Sequence, residues 1–343
     1  MLNKDEVLEQ SKSAFSQWEP IWRENCKING DLYKKLRTTH QDLLHVGAGR
    51  TLLCIGTGPS LEKNLHLLEK YKDTKIDIAC IDKALPILLE KGIKPDYVYI
   101  ADAAVSYEKY CKPYIDQTKD IILMSNITAQ TDWAANWQGL IFFYINKDNI
   151  NSQDIFIEIS GCKEVIPASS NVGNTVVVAS TQIFGYDRYL LLGYDFCWSD
   201  DEAYYAGADN VKRHWMKHLN VCDNIGRLVN TSQNLFFSAR WMQDFYDMMK
   251  HQGCKIYNCS GQGLLNAETR NLEKELKTAI ARELTNIEKD DIIKKRMKQI
   301  IVRAEDGNEK LNQVLKECNV ADIIINHIPR EVLEWLKPKD LNI

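Results

Sequence analysis

Two glycines, Gly56 and Gly58, separate a pattern typical of a buried strand from a pattern typical of a helix. The four apolar residues at 52–55 favour a strand covered on both faces, and Pro59 and Ser60 suit the first positions of a helix. Such a turn directs backbone N–H groups and the positive end of a helix dipole toward an anion. We therefore predict that a phosphate or carboxylate binds at the turn residues Gly56, Thr57, Gly58, Pro59 and Ser60. A tight strand-to-helix turn needs glycine even without a ligand, and that alternative stays open.

A carboxylate ends the next strand pattern. Residues 76–82 indicate a second strand, and its last residue, Asp82, stands about two dozen residues beyond the glycines, where dinucleotide-binding folds place the acidic residue that binds a ribose. Leu61 replaces the third glycine of the G-x-G-x-x-G fingerprint, and no Gly-Lys-Ser/Thr follows. The sequence therefore excludes a standard NAD or FAD site and a P-loop, and leaves a nucleotide site of another type.

A second group of small polar residues precedes and begins the helix pattern at 172–184. Its members are Ser169, Ser170, Asn171, Gly173, Asn174 and Thr175. N-capping accounts for one or two such residues, whereas an anion bound at the helix N-terminus accounts for the whole group. We therefore predict that this group binds an anion.

The strand pattern at 188–194 leads into Asp195 and then into a long polar loop. Because ligands of parallel sheets bind at the carboxyl ends of the strands, Tyr194 and Asp195 are expected on the ligand side. The loop contains His214 and His218, which are four residues apart and would share one face of a helix. Either imidazole titrates near neutral pH and is a candidate base for an acceptor hydroxyl. Surface or packing histidines are the alternative.

Three acidic residues of the same loop, Asp200, Asp201 and Glu202, fit either a solvated loop or a divalent-ion site. The two histidines lack the H-E-x-x-H motif, which argues against zinc. We expect the solvated loop and no metal.

Short apolar runs alternate with helical patterns from 51 to about 265, which favours an α/β domain with a mainly parallel sheet. The strand candidates are 51–56, 76–82, 96–101, 120–125, 140–145, 188–194 and 254–258. The helix candidates are 60–71, 84–91, 131–137, 172–184 and 233–251.

The composition divides the chain into three parts. We predict that residues 1–48 form a polar helical segment and that residues 49–266 form the nucleotide-binding domain. Residues 267–343 are rich in Glu, Lys, Leu and Ile and are predicted to form a C-terminal helical extension. Within the extension, long helical patterns fit either a solvated appendage or the interface of a homo-oligomer.

The overall composition narrows the classes of protein. The chain has 343 residues, 45% hydrophobic content and a formal net charge of −4, which suits a well-packed core and argues against general nucleic-acid binding. Its ten cysteines form no C-x-x-C pair, so we expect free thiols in a reducing cytoplasm and no structural zinc. No signal-peptide core or apolar run of the ~20 residues needed for a membrane span is present.

Three motifs together resemble the MptE-like family, once called DUF115. They are Ile55-Gly56-Thr57-Gly58-Pro59-Ser60-Leu61, Gly92-Ile93-Lys94-Pro95-Asp96 and Leu192-Gly193-Tyr194-Asp195-Phe196. The family includes the motility-associated factor (Maf) glycosyltransferases of flagellin and archaeal 6-hydroxymethylpterin pyrophosphokinases. The same order of motifs is more distantly similar to bacterial CMP-sialic acid sialyltransferases. The resemblance covers roughly residues 48–266 and implies a Rossmann-like, GT-A-like fold with helices on both faces of the sheet and helical extensions at both ends.

The resemblance also implies roles for individual residues. The turn at 56–60 would hold the nucleotide phosphate, the group at 170–174 would hold the base, ribose or phosphate, and Tyr194 with Asp195 would contact the nucleotide. Two positions depart from the sialyltransferase pattern. Cys197 stands where those enzymes have tyrosine, and their catalytic histidine aligns near Leu228, which leaves His214 and His218 as replacements.

The sequence thus predicts a cytoplasmic, metal-independent transferase, a glycosyltransferase that moves a nonulosonic (sialic-type) sugar from a CMP-sugar donor to a glycan or protein acceptor. Catalysis is assigned to His214, His218 and Asp195. The first alternative is an ATP- and Mg²⁺-dependent pyrophosphokinase, with Asp82, Asp102 and the acidic cluster at 200–202 as candidate metal ligands. The second is a nucleotide-binding or scaffold protein without catalysis.

Overall fold

The structure is a computed structural model that describes residues 4–36, 38–73, 76–147, 152–167, 169–198, 206 and 218–278. The chain divides into two compact units, Met1–Arg282 and Glu283–Ile343. All described residues belong to the first unit. Of the predicted C-terminal extension, residues 267–343, the structure describes 267–278, of which Leu272–Thr278 are helical, and residues 279–343 lie outside the described residues.

Within the described part of the first unit, the structure has ten strands and the helices between and around them. The strands are β1 (Thr51–Ile55), β2 (Asp77–Ile81), β3 (Tyr97–Ile100), β4 (Ile122–Asn126), β5 (Ile141–Lys147), β6 (Val165–Pro167), β7 (Arg188–Leu192), β8 (His218–Cys222), β9 (Leu228–Ser232) and β10 (Lys255–Asn258). The α-helices are α1 (Lys4–Leu36), α2 (Pro59–Lys70), α3 (Ala84–Glu90), α4 (Tyr107–Tyr110), α5 (Thr131–Asn136), α6 (Gln153–Ser160), α7 (Val172–Ile183), α8 (Gln233–His251) and α9 (Leu272–Thr278). Short 3₁₀ helices cover His40–Leu43 and Lys112–Gln117.

Eight of these strands form one parallel sheet in the order β10-β7-β1-β2-β3-β4-β5-β6. Strand β1 is central, with Ile55 paired to Cys80 of β2 on one side and to Leu192 of β7 on the other. Every residue of β1 is buried, as expected for a strand covered on both faces. The predicted Rossmann-like α/β fold is confirmed.

The chain order reverses at β1. From β1 the sheet extends through β2 to β6 in one direction, whereas β7 and β10 lie on the opposite side. This reversal makes the carboxyl ends of β1 and β7 a topological switch point, where the diverging loops leave a crevice for a ligand.

Helices pack around the sheet and form the core with it. Helix α7 contacts β1, β2 and β3, and α8 contacts β10. Helix α1, the predicted N-terminal extension, packs against α5 and α6. Its Asn29 side chain donates to the carbonyls of Ile127 (3.0 Å) and Ala129 (2.9 Å), which ties the helix to the loop after β4.

The sequence patterns missed an antiparallel hairpin, β8–β9. We expected His218 on a helix face, but it begins β8 and pairs with Ser232, so the helical expectation was wrong at this residue. The alternation of Leu219 and Val221 with polar residues, followed by a turn through Gly226 at φ 81°, is the pattern of a hairpin strand.

None of the helices within the described ranges is long and apolar enough to cross a membrane. Every cysteine in the same ranges is a free thiol.

Candidate functional site

A cleft opens at the switch point, along the carboxyl ends of β7, β1, β2 and β3, with a volume of about 200 Å³. The residues predicted from the sequence that line it are Gly56, Thr57, Gly58, Asp82, Asp102, Asn171, Gly173 and Tyr194. The remaining lining residues are Ile81, Lys83, Val172, Gly193, Phe196, Cys197 and Leu235. The structure therefore brings the glycine turn, the start of the helix pattern at 172–184 and the end of the strand pattern at 188–194 together around one cavity, whereas the motif at 92–96 does not line it.

The glycine turn is interlocked with the end of β7. The N–H of Gly56 donates to the carbonyl of Leu192 and the N–H of Gly58 to the carbonyl of Gly193, both at 2.8 Å. A Cβ on Gly56 would lie 2.6 Å from the carbonyl oxygen of Gly193. Both glycines are therefore required by the close approach of two backbones. Among the described residues, the turn leaves the N–H of Thr57 without an acceptor.

Asp195 lies beneath the turn and is fully buried, with 0% of its surface exposed. Its carboxylate accepts hydrogen bonds from the backbone N–H of Ser60 (3.2 Å to each oxygen), from the Ser60 hydroxyl (2.6 Å) and from the Gln262 amide (2.7 Å). Burial raises the pKa of Asp195, and the bonds from Ser60 and Gln262 oppose that shift. Ser60, Pro59 and Asp195 stand behind the cleft wall rather than on it.

The N-terminus of α7 faces the cleft through Val172 and Gly173. Asn171 is the N-cap, and its side chain accepts the N–H of Asn174 at 2.8 Å. Within the described ranges, no acceptor pairs with the N–H groups of Val172 and Gly173. Two donors and a positive helix end thus point into the cleft.

Two of the predicted site residues, Asn174 and Tyr194, hydrogen-bond to other parts of the protein. The buried Asn174 amide donates to the Ser170 hydroxyl (2.9 Å) and to the Ser238 carbonyl (3.0 Å), which fixes α7 against α8. Tyr194 donates from its hydroxyl to the Gly173 carbonyl at 2.7 Å and so supports the start of α7 from below.

The β2–β3 end of the cleft carries charged groups. Asp82 is only 3% exposed, and its Oδ1 accepts the Lys83 N–H at 2.6 Å. Burial, with a smaller contribution from the Asp102 charge, raises the pKa of Asp82 to about 6. Asp102 is exposed, and its Oδ1 accepts the N–H of Ala104 at 2.9 Å. Lys83, which the sequence analysis did not single out, adds a cation next to these carboxylates.

The β7 end of the cleft is largely apolar, with Phe196, Cys197 and Leu235. Phe196 has a left-handed backbone at φ 53°, and its carbonyl accepts the Thr231 hydroxyl at 2.7 Å. Such a conformation is costly for a bulky residue and is held in place by its surroundings. Phe196 ends a motif and Cys197 directly follows it, so both could have been found from the sequence, whereas Leu235 reaches the cleft only through tertiary packing.

The described part of the structure does not show where the side chains of the predicted catalytic histidines, His214 and His218, lie. His214 and the acidic residues 200–202 lie outside them, and His218 is described by its backbone alone. Ala206 is the one residue of 199–217 that is described, and its N–H donates to the Thr57 carbonyl at 2.7 Å. Among the described residues, no group of three or more His, Cys, Asp or Glu could hold a metal ion.

Most of the residues around the cleft lie within a match to a protein family. The model of the family described as "6-hydroxymethylpterin diphosphokinase MptE-like" matches residues 29–201, half of the chain. The chain belongs to the MptE-like family. The match includes the glycine turn, Asp82, Asp102, the start of α7 and Asp195, and it ends before His214 and Gln262.

Among solved structures, the chain is similar to the Maf glycosyltransferase from Magnetospirillum magneticum AMB-1, with a TM-score of 0.52 and 15% sequence identity. The similarity covers 78% of this chain and 42% of that protein, so this chain spans less than half of the larger enzyme. At this identity the likeness shows a shared fold. No curated protein matches the chain.

Proposed function

We propose that this member of the MptE-like family is a glycosyltransferase that takes a nonulosonic, sialic-type sugar from a CMP-linked donor and transfers it to a glycan or protein hydroxyl. The observation that carries the proposal is the cleft at the switch point, where a helix N-terminus with two donors that have no acceptor among the described residues faces the end of a glycine turn. A fold shared with a Maf glycosyltransferase supports the same class of reaction. Free thiols throughout the described ranges support a cytoplasmic setting.

The donor phosphate is assigned to the start of α7. The N–H groups of Gly56, Gly58 and Ser60 already donate to protein acceptors, so the open donors nearest the cleft are those of Thr57, Val172 and Gly173. Donors fixed in this way stabilise the negative charge that grows on a departing phosphate, without reorganisation during the reaction.

The carboxylate of Asp82 is assigned to donor hydroxyls. Asp82 directly follows β2, and the glycine turn follows the neighbouring strand β1. One of the Asp82 carboxylate oxygens accepts no hydrogen bond from the protein among the described residues. A buried carboxylate with an open oxygen accepts hydrogen bonds from vicinal hydroxyls, as in dinucleotide folds. Lys83 offsets part of its charge beside an anionic donor.

The transfer itself is a direct displacement. The acceptor oxygen forms a bond to the anomeric carbon, the bond from that carbon to the phosphate oxygen breaks, and the acceptor proton passes to a base. His214 and His218 remain the proposed bases, since the chain has Leu228 near the position of the sialyltransferase histidine. With Asp195 buried and fully engaged, its proposed catalytic part is indirect.

A second candidate is an ATP-dependent pyrophosphokinase of the 6-hydroxymethylpterin type. One observation favours it: Asp82 and Asp102, which follow the adjacent strands β2 and β3, both line the cleft and could hold Mg²⁺ against a chain of phosphates. A nucleotide-binding protein without catalysis is the third candidate, favoured by Leu228 near the position where the resembling sialyltransferases have their catalytic histidine.

The experiment that separates these candidates is a thermal-shift panel with CMP, CDP, UDP, NAD and ATP with Mg²⁺. A ligand at 100 times its Kd adds about 2.7 kcal/mol to the free energy of unfolding, which is readily seen as a rise in Tm. We expect CMP and CDP to stabilise the protein most. Stabilisation by ATP with Mg²⁺ alone would favour the pyrophosphokinase, and stabilisation by none would contradict a nucleotide site.

A further inference from the structure

We infer that Asp195 is a positioning residue that acts through Ser60 and Gln262, and that neither Asp195 nor the Ser60 hydroxyl touches the donor. The inference deepens the proposed function and rests on it, because it states how the wall of the donor cleft is held. It departs from the expectation that the strand end after Gly193 presents its carboxylate to the nucleotide.

The first observation is that both oxygens of the Asp195 carboxylate are hydrogen-bonded within the protein. Asp195 has no exposed surface, is absent from the cleft lining and receives four hydrogen bonds, three from Ser60 and one from Gln262. A ligand group could reach it only by displacing these donors from a buried site, which would leave them unpaired at a considerable energetic cost.

The second observation concerns the N-terminus of α2. Ser60 is the second residue of this helix, and its N–H points at both carboxylate oxygens of Asp195. The positive end of the α2 dipole is therefore already neutralised by a charge of the protein itself. The corresponding end of α7, at Val172 and Gly173, has no such internal anion among the described residues. An incoming phosphate is thus directed to α7.

The third observation is a relay through one hydroxyl. The Ser60 hydroxyl donates to Asp195 Oδ2 at 2.6 Å and accepts the N–H of Gly193 at 3.0 Å. It therefore joins the helix after β1 to the end of β7 at the place where Gly58 also bonds to Gly193. Because Gly58 and Gly193 both line the cleft, the relay holds these two lining segments in a fixed position relative to each other.

The fourth observation is the anchor on the far side of the carboxylate. Gln262 donates to Asp195 Oδ1 at 2.7 Å, while its own carbonyl oxygen accepts from Lys63 (3.0 Å) and Arg227 (3.3 Å). These two cations hold the amide with its nitrogen toward Asp195. The anchor joins the loop after β10 to α2 and to the β8–β9 hairpin.

The test is a double-mutant cycle on CMP affinity, measured by calorimetry. Ser60→Ala, Asp195→Asn and the double variant are compared with wild type, because residues that act through one network lose affinity non-additively. We expect each single change to weaken CMP binding about tenfold and the double change to weaken it by no more than about the same factor. A direct contact between Asp195 and the donor instead predicts that Ser60→Ala binds like wild type.

Gln262→Ala and Gln243→Ala form a matched pair. Gln262 is only partly buried, so its removal leaves the fold intact, and we expect a several-fold loss of CMP affinity. Gln243 also bonds to the loop after β10, through the backbone of Asn266, but lies away from Asp195, so its removal should leave affinity unchanged. Equal affinities of both variants and wild type would overturn the inference.

Amide hydrogen exchange in the free protein provides a readout that needs no ligand and separates the inference from the proposed function. We expect Asp195→Asn to speed exchange at the amides of Ser60 and Gly193, whose protection depends on the relay, and to leave the amides of β4 unchanged. Unchanged exchange at these two amides would refute the relay. If the relay is seen but wild type binds no nucleotide, the proposed function fails, and with it the role of Asp195 in binding.

Discussion

Gly58 and Asp195 approach so closely that a Cβ on Gly58 would lie 2.2 Å from Oδ2 of the Asp195 carboxylate. The same atom would lie 2.7 Å from the carbonyl oxygen of Gly193. Two glycines in a strand-to-helix turn are usually explained by a phosphate that needs the space. Here the space that a side chain at position 58 would need is filled by the Asp195 carboxylate. This glycine is therefore needed for folding before any ligand binds.

The first prediction follows from this contact. Gly58→Ala should lower the free energy of unfolding by about 1–3 kcal/mol, because the buried carboxylate and backbone must shift to admit the methyl group. Urea denaturation measures the loss. Gly173→Ala is the comparison: its Cβ would lie 3.3 Å from Asn171 Oδ1, so the capping side chain must shift by a few tenths of an ångström, a far smaller change than at Gly58. We expect Gly173→Ala to lose less stability than Gly58→Ala, because alanine favours the helix, and to weaken CMP binding, because Gly173 lines the cleft. A Gly58→Ala protein as stable as wild type would show that the turn does not close on Asp195.

The second prediction concerns the ionisation of Asp82. Its pKa is raised by burial to about 6, against 3.8 for an ordinary Asp, so at pH 7 the folded protein carries a buried charge at a cost. As the pH falls through 6, the folded protein takes up a proton that the unfolded chain takes up only near pH 4, and the cost disappears. Asp82→Asn, which keeps the acceptor for the Lys83 N–H, should therefore raise the free energy of unfolding at pH 7 by about 1–3 kcal/mol. The gain should vanish near pH 4.

Asp102→Asn is the control for this experiment, because Asp102 is exposed and its one hydrogen bond survives the change. Its effect on stability should stay within about 0.5 kcal/mol at either pH. Equal effects of the two substitutions at pH 7 would mean that Asp82 carries no burial cost.

The sequence predicted the fold well because each buried strand of the parallel sheet is a short apolar run bounded by turn residues, as at 51–55 and 188–192. The sequence patterns did not reveal the β8–β9 hairpin. Its strands are only five residues long and partly exposed to solvent, so the alternation of apolar and polar residues is a weak signal. For the site, the motifs identified which loops meet, because the carboxyl ends of parallel strands share one edge of the sheet. They could not distinguish residues on the cleft wall from residues behind it. Asp195 and Asn174 have the polar side chains of ligand-binding residues, but tertiary partners such as Gln262 and Ser238 engage them instead.

The third prediction concerns the left-handed backbone at Phe196. Phe196→Gly and Phe196→Ala both remove the ring from the cleft, but only glycine adopts φ 53° without steric cost. We expect the glycine variant to be more stable than the alanine variant by about 1 kcal/mol, the reverse of the order in a helix or strand. Thermal unfolding of the two proteins measures the difference. An alanine variant that is the more stable of the two would place Phe196 in an ordinary conformation.

The last prediction addresses metal and separates the two enzymatic candidates. The proposed glycosyltransferase stabilises the departing phosphate with the N–H groups of Thr57, Val172 and Gly173, which act without an ion. A pyrophosphokinase must neutralise several linked phosphates and needs Mg²⁺, for which Asp82 and Asp102 are the candidate ligands in the cleft. We expect excess EDTA to change the Kd for CMP by less than about twofold, which is below 0.5 kcal/mol. We also expect the Asp102→Asn variant to bind CMP as wild type does. A site that needs Asp102 as a metal ligand would instead bind its Mg²⁺ less well in this variant. If EDTA or Asp102→Asn instead abolishes binding, and ATP is preferred over CMP, the cleft is a magnesium-dependent kinase site and the glycosyltransferase proposal is wrong.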